Sequence, residues 1–379
     1  MTTNLSPTLG LYNIAKITAG EQEVSVSWED GNVTTYDSLW LRDNIPENRD
    51  PRNGQRLVSI ADIPAEPKIE SAHAADSQLT ITWKDGKTAH FDCHWLRAHD
   101  SSLSIDTGSK RLPWTADELP EFFWADHDQV ASNQDLRRDW LAAIVRDGLA
   151  FLRNVPIEEE TVLRVASWIG FVRETNYGKL FDVRAVAHPN NLAFTSLGLP
   201  AHTDNPYRDP VPGLQLLHCL TTSGIGGESL FVDGLAVAET MRRQHTALFD
   251  LLVHTPVRFH FEDEKTDLST ERPLIACDLH GRFEGIYYND RSIAPLLVTP
   301  DILRRFYSAY RMLAEMLRRA SFNVSILMQP GDLVIFDNTR ILHGRTAFEV
   351  QNGTRHLQGC YVDKDALNSN LAVLQRKGA

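Results

Sequence analysis

The chain has 379 residues, of which 42% are hydrophobic and 23% charged, enough for more than one packed core and not the composition of a disordered chain. Its formal charge of −12 excludes the basic face needed to wrap nucleic acid or dock on anionic lipid, which leaves a small-molecule partner. Cys93, Cys219, Cys277 and Cys360 are scattered without a C-x-x-C pair, no basic-then-apolar leader opens the chain, and no run of about 18 apolar residues occurs, so a cytoplasmic protein without disulfides or membrane spans is expected.

From the N-terminus, Ser27-Trp28-Glu29-Asp30-Gly31 followed by Trp40-Leu41-Arg42 is echoed by Thr82-Trp83-Lys84-Asp85-Gly86 followed by Trp95-Leu96-Arg97. In each copy an alternating run (Val24, Val26, Trp28; Leu79, Ile81, Trp83) meets an Asp-Gly turn, a strong short signal for a β-hairpin. Residues 1–98 are therefore expected to form a small β-rich domain built on two related hairpins. The segment 99–133, with Pro113, Pro120 and several acids, reads as a connector, and 134–379 as one large domain. There Leu136, Trp140, Leu141, Ile144 and Val145 recur at helical spacing, Gly148 closes the helix, and Leu149-Ala150-Phe151-Leu152 follows as a strand. A second helix is expected over 158–169. Short alternating runs at 191–197, 213–220, 229–232, 284–288 and 332–337, separated by Gly, Pro and Asn, predict a β-sandwich or jelly roll rather than βαβ units. Leu303, Phe306, Tyr310, Leu313 and Leu317 give 301–319 a clear amphipathic helical pattern, placed outside the sheet.

His202-Thr203-Asp204 ends an alternating segment, and in a strand residues two apart share a face, so both side chains can reach one ion. Such a triplet alone is more often turn or core polarity than a ligand pair; its company gives it weight. His343, just after Val334-Ile335-Phe336-Asp337-Asn338, is the best-placed third ligand. Two imidazoles and a carboxylate on one triangular face leave adjacent positions for a chelating co-substrate and dioxygen, the pattern that suits mononuclear iron(II). Arg355, twelve positions beyond His343, could pair bidentately with the distal carboxylate of a 2-oxo diacid, and Ser229, after Gly226-Gly227-Glu228, could donate to the same group.

The ordered set Leu39-Trp40-Leu41-Arg42-Asp43-Asn44, Phe181-Asp182-Val183-Arg184, His202-Thr203-Asp204, Gly213 to Cys219, Val232-Asp233-Gly234, Leu342-His343-Gly344-Arg345 and Gly359-Cys360-Tyr361 resembles the γ-butyrobetaine hydroxylase and trimethyllysine hydroxylase group, within the taurine-dioxygenase-like oxygenases. The resemblance implies a mainly β fold with flanking helices, a double-stranded β-helix (jelly roll) catalytic domain with a small N-terminal domain, and a homodimer. It also implies iron(II) as cofactor and 2-oxoglutarate as co-substrate, with dioxygen oxidising the keto acid to succinate and carbon dioxide while one oxygen atom enters a substrate C–H bond. No catalytic side chain beyond the metal ligands is needed, because metal and co-substrate carry the hard chemistry. Relatives often hold zinc in the N-terminal domain; here Ile45, Glu47, Asp50 and Lys87 occupy the ligand positions, so no zinc is expected and a tryptophan-centred core takes its place.

Family substrates carry a trimethylammonium group, which lacks hydrogen-bond donors and is best held by aromatic faces. By position the cage implied by the resemblance is Tyr177, Phe181, Phe194 and Tyr361, with Asn191 carried over for a substrate carboxylate. Asn205 and the run Asn289-Asp290-Arg291 add two amides and a guanidinium, more than a single carboxylate requires and suited to a phosphonate dianion. The expected substrate is therefore 2-(trimethylamino)ethylphosphonate, hydroxylated beside phosphorus, as in the phosphonate dioxygenase branch that this pocket resembles. Hydroxylation of γ-butyrobetaine to carnitine is the alternative, with trimethyllysine hydroxylation or a catalytically silent binding protein behind it.

Overall fold

The computed structural model describes residues 13–75, 77–100, 111–184, 197–222, 226–348 and 355–377, in two compact units, 1–107 and 108–379. In the first unit β1 (Ile14–Ala19), β2 (Glu23–Trp28) and β3 (Val33–Asp37) form an antiparallel sheet leading into α1 (Ser38–Asp43). The arrangement is repeated by β4 (Ile69–Ala75), β5 (Gln78–Trp83), β6 (Thr88–Asp92) and α2 (Cys93–Ala98). Gly31 and Gly86 make the hairpin turns at φ of 86° and 82°, where a Cβ is disfavoured. Asp37 and Asp92 cap the helices that follow. Each hairpin gains a third strand, because Ile14 and Ile69 pair opposite Trp28 and Trp83.

The echoed residues cross-link the two copies. Arg42 donates to Asp85 at 2.8 Å and stands 5.0 Å over the Trp83 ring, while Arg97 reaches Asp30 at 2.9 Å and stands 5.8 Å over Trp28. Trp28, Trp83, Ile45 and Phe91 fill the core between them.

The second unit begins earlier than the sequence suggests. Residues 111–133, expected as a connector, contribute β7 (Trp124–Asp126) and α3 (His127–Ser132), which precede α4 (Gln134–Asp147) and β8 (Leu149–Arg153); β7 pairs in parallel with β8. The segment is held by isolated contacts rather than by a periodic element: the buried Trp114 indole donates to the Asp147 carbonyl (2.7 Å) and Arg340 donates to the Leu112 carbonyl (2.6 Å). No apolar period announces contacts of that kind.

After β8 come α5 (Thr161–Ala166), β9 (Val172–Arg173), β10 (Phe181–Arg184), β11 (Leu199–His202), β12 (Leu214–Thr222), β13 (Ser229–Asp233), α6 (Gly234–Gln244), α7 (Thr246–His254), β14 (Val257–Glu262), β15 (Asp267–Arg272), β16 (Ile275–Cys277) and β17 (Phe283–Ile286). The chain ends with α8 (Pro300–Leu317), β18 (Val324–Ile326), β19 (Leu333–Asp337), β20 (Ile341–Arg345), β21 (Arg355–Val362) and α9 (Lys364–Lys377). Helix α5 is shorter than expected because the chain enters it through Glu160 in the left-handed region, at φ of 66°. The strand expected at 191–197 lies outside the described residues except for Leu197, which is not in a strand.

A seven-stranded sheet, ordered β10-β21-β12-β19-β8-β7 with β9 on β21, faces a four-stranded sheet ordered β11-β20-β13-β18, giving the jelly roll of a double-stranded β-helix. Alternation along β12 serves both sides: Leu214 and Leu216 join a core with Trp140 and Ile144 of α4, while Leu217 and Cys219 join Phe231 and Phe336 between the sheets. The apolar stripe of α8 (Phe306, Leu313, Leu317) packs with α6 and α7 in a third cluster. Among the described residues no helix is long and apolar enough to cross a membrane.

His218, on β12, is fully buried, and burial pushes its imidazolium pKa down to about 4. The unfolded chain takes up this proton near the ordinary histidine pKa, so the contribution is complete above about pH 6.5 and is lost as pH falls toward 4. We expect urea unfolding to show lower stability at pH 5 than at pH 7, and His218→Leu to shrink that difference by roughly 2 kcal/mol.

Candidate active site

Strands β11 and β20 pair with His202 directly opposite His343, and the two rings lie 4.6 Å apart. The close approach requires Gly344, since a Cβ there would lie 2.4 Å from the Leu199 carbonyl oxygen. Asp204 does not share a strand face with His202 as the spacing suggests: β11 ends at His202 and the chain turns. Asn338 pins the turn, accepting from the Asp204 N–H (2.8 Å) and donating to the carbonyls of Asp204 (3.0 Å) and Pro212 (2.9 Å). The Thr203 N–H donates to the Tyr288 carbonyl at 2.7 Å. One ligand atom from each of His202, Asp204 and His343 then falls within 4.8 Å of the others.

The donor set fits a divalent first-row metal. His202 places Nδ1 2.9 Å from the Pro200 carbonyl, which fixes the proton there and leaves Nε2 with its lone pair free, 3.4 Å from Asp204 Oδ1. His343 Nε2 lies 3.7 Å from Asp204 Oδ2, and burial holds its imidazolium pKa down to about 3, so the ring is neutral. Burial alone would raise the Asp204 pKa, but His343, His202 and the Tyr361 hydroxyl together carry it well below the usual carboxylate range. Two imidazoles and a carboxylate are the facial set that binds iron(II).

To one side lies Arg355, buried at the start of β21. Its Nε donates to the Gly227 carbonyl (2.9 Å) and its Nη2 lies 3.4 Å from Ser229 Oγ, while the buried Nη1 has no hydrogen-bond partner among the described residues. Gly227, at φ of 75°, leaves room for this side chain, since a Cβ would stand 2.9 Å from Arg355 Cδ. An orphaned buried guanidinium donor is costly unless an acceptor fills the space, and a carboxylate is the acceptor that matches it. Arg345, not singled out as a site residue from sequence, also lines the cavity; burial, then the charges of Arg355 and Arg291, pull its pKa to about 10. Its place in Leu342-His343-Gly344-Arg345 was the available signal.

The triad opens on a cavity of about 340 Å³ that takes in Tyr177, Phe181, Tyr361, Asn205, Asn289 and Arg291. The ring of Phe181 lies 5.0 Å from that of Tyr361, whose hydroxyl donates to Asp204 Oδ2 at 2.8 Å. The sequence reading missed Tyr207 and Phe261, whose rings stack 5.0 Å apart at 20°, with Tyr177 6.2 Å from Phe261. Phe261 comes from the β14 and β15 hairpin, far from the triad in sequence, and no short-range spacing links it to the site. Tyr207 donates to Asn205 Oδ1 at 2.7 Å, and the buried Asn205 Nδ2 has no partner among the described residues. Asn289 donates to the Thr203 carbonyl (3.3 Å) and accepts from Arg291 Nε (3.3 Å). Asn191 and Phe194 lie outside the described residues.

Because the pairing of β11 with β20 sets the imidazoles side by side, Gly344→Ala is expected to push the strands apart. Mn(II) affinity, followed by the loss of the free-ion EPR signal, should fall by roughly tenfold or more.

The model of the family described as "Taurine catabolism dioxygenase TauD, TfdA family" matches residues 115–361. A γ-butyrobetaine dioxygenase from Pseudomonas sp. (strain AK-1) is 38% identical over 362 residues, 93% of this chain and 94% of that protein. Dioxygenase str8 from Strobilurus tenacellus is 32% identical, covering 88% of this chain and 83% of that one, and the mitochondrial trimethyllysine dioxygenase of Bos taurus is 28% identical, covering 90% and 83%. Among solved structures, an asparagine oxygenase complex with Fe(II) superposes with a TM-score of 0.50 at 22% identity, covering 61% of this chain and 80% of that one, a likeness of fold. With the His202, Asp204 and His343 triad assembled inside the matched region, the chain belongs to the TauD/TfdA family of iron(II)- and 2-oxoglutarate-dependent dioxygenases.

Proposed function

We propose that the protein hydroxylates a short trimethylammonium compound, with γ-butyrobetaine the substrate best supported. The observation that carries this reading is the aromatic wall of Tyr177, Phe181, Tyr207, Phe261 and Tyr361 beside the triad, in a cavity of about 340 Å³. That volume suits a small molecule. A quaternary ammonium offers no N–H for an acceptor, and aromatic faces attract it by about 0.5–2 kcal/mol per contact. The 38% identity to a γ-butyrobetaine dioxygenase across nearly the whole chain moves that substrate ahead of the phosphonate, which the sequence alone had put first. Trimethyllysine would need a carboxylate for its α-ammonium; of the two on the cavity, Asp204 belongs to the triad and Asp182 is engaged through Oδ1 by His356 (2.6 Å) and Gln358 (3.1 Å).

In this reading Arg355, with Ser229, binds the distal carboxylate of 2-oxoglutarate through its orphaned Nη1. Asn205, Asn289 and Arg291 take the substrate anion, the unpartnered Asn205 Nδ2 supplying a donor. Bound iron supplies the oxidation of the keto acid and the insertion of oxygen; the chain's own residues hold the two substrates, aim one C–H bond and keep bulk water out. The position of Arg291 on the cavity favours a second reading, in which the anion is the phosphonate of 2-(trimethylamino)ethylphosphonate.

Mass spectrometry of products formed with iron(II), ascorbate and 2-oxoglutarate separates the two. We expect γ-butyrobetaine to gain one oxygen with higher kcat/KM; faster turnover of the phosphonate, together with a sharp KM rise in Arg291→Ala, would establish the second reading, and no turnover of either would refute both. Arg355→Leu is expected to raise KM for 2-oxoglutarate by roughly 100-fold or more while leaving the thermal midpoint of the metal-free protein nearly unchanged.

A further inference from the structure

We propose that the Tyr361 hydroxyl is a positioning group for the iron carboxylate: it holds Asp204 Oδ2 and turns Oδ1 toward the metal. The phenol donates to Oδ2 at 2.8 Å, and among the described residues it is the one neutral side-chain donor at hydrogen-bond distance from this carboxylate. Asp204 sits in a turn beyond β11, where no sheet neighbour fixes its side chain. Asn338 anchors only its backbone, through the N–H and the carbonyl. Without a further contact the carboxylate can rotate and share both oxygens between the two histidines, which stand 3.4 and 3.7 Å from Oδ1 and Oδ2.

Tyr361 is suited to the task because it cannot move easily. It is 4% exposed, lies within β21 between Gln215 of β12 and Arg173 of β9, and its ring rests against Phe181. A phenol keeps its proton at neutral pH and a carboxylate only accepts, so in this pair the hydroxyl is the donor. A hydrogen bond to one carboxylate oxygen lowers that oxygen's availability and leaves the other as the better metal donor, as outer-shell partners do for ligating carboxylates elsewhere. The cavity's aromatic wall and the metal carboxylate are thus joined in one side chain, whose ring faces substrate space and whose hydroxyl faces the ligand.

The test needs neither substrate nor turnover, so it stands apart from the choice between γ-butyrobetaine and the phosphonate. Mn(II) binding to the metal-free full chain, without 2-oxoglutarate, is measured by EPR for the native protein, Tyr361→Phe and Tyr177→Phe. Tyr361→Phe keeps the ring and should bind Mn(II) roughly 10- to 100-fold more weakly. Tyr177→Phe removes a hydroxyl from the same cavity without touching a ligand, and should stay within about twofold of native. Co(II) provides a second readout: at saturating metal, Tyr361→Phe should show altered visible ligand-field bands, which a purely aromatic role for Tyr361 would not change. Native Mn(II) affinity with an unchanged Co(II) spectrum in Tyr361→Phe overturns the proposal, as does an equal loss of affinity in both variants.

Discussion

The pairing of Leu199–His202 with Ile341–Arg345 sets two imidazoles side by side at 4.6 Å, and the catalytic centre exists only while that register holds. A slip by one residue would turn His343 to the opposite face of its sheet and remove a ligand. Several features guard against the slip. Gly344 lets the backbones approach where any side chain would collide with the Leu199 carbonyl. Phe231 pairs with His343 from the other neighbour, β13, and packs with Phe336 in the core between the sheets. Asn338 ties the turn carrying Asp204 to the loop between β19 and β20, so the third ligand is registered against the strand that carries His343.

The cavity's electrostatics run against those of the chain. A molecule of formal charge −12 lines its site with Arg291, Arg345 and Arg355 against the carboxylates of Asp182 and Asp204. Buried guanidinium groups are tolerated when their hydrogen bonds are met. Arg355 meets part of its need with the Gly227 carbonyl, and its Nη1 has no hydrogen-bond partner among the described residues. The cavity is also lined by the aromatic rings of Tyr177, Phe181, Tyr207, Phe261 and Tyr361. Charged donors and aromatic faces thus line the same cavity as the His202, Asp204 and His343 triad.

The N-terminal unit solves a different problem with the same economy of residue types. Its two sheet-and-helix copies are small, and each alone would expose a tryptophan face. Reciprocal contacts, Arg42 on Asp85 and Trp83, Arg97 on Asp30 and Trp28, close one copy over the other's turn. The shared core of Trp28, Trp83, Ile45 and Phe91 lies between them.

The sequence by itself determined the features carried by local pattern. The repeated Trp, Asp-Gly and Trp-Leu-Arg elements announced two related copies, alternating runs announced a sheet-rich second unit, and the spacing of His202, Asp204, His343 and Arg355 named the metal ligands and a buried guanidinium. Only the tertiary structure decided that residues 111–133 join the catalytic unit, that Asp204 sits in a pinned turn rather than on a strand face, and that Tyr207, Phe261 and Arg345 line the cavity. It also gave Tyr361 its bond to Asp204, a contact across 157 positions. The physical reason is one of range. Periodicity and turn chemistry act between residues a few positions apart, whereas a hydrogen bond or ring contact between distant segments depends on how the sheets close, and no local property of either residue encodes it.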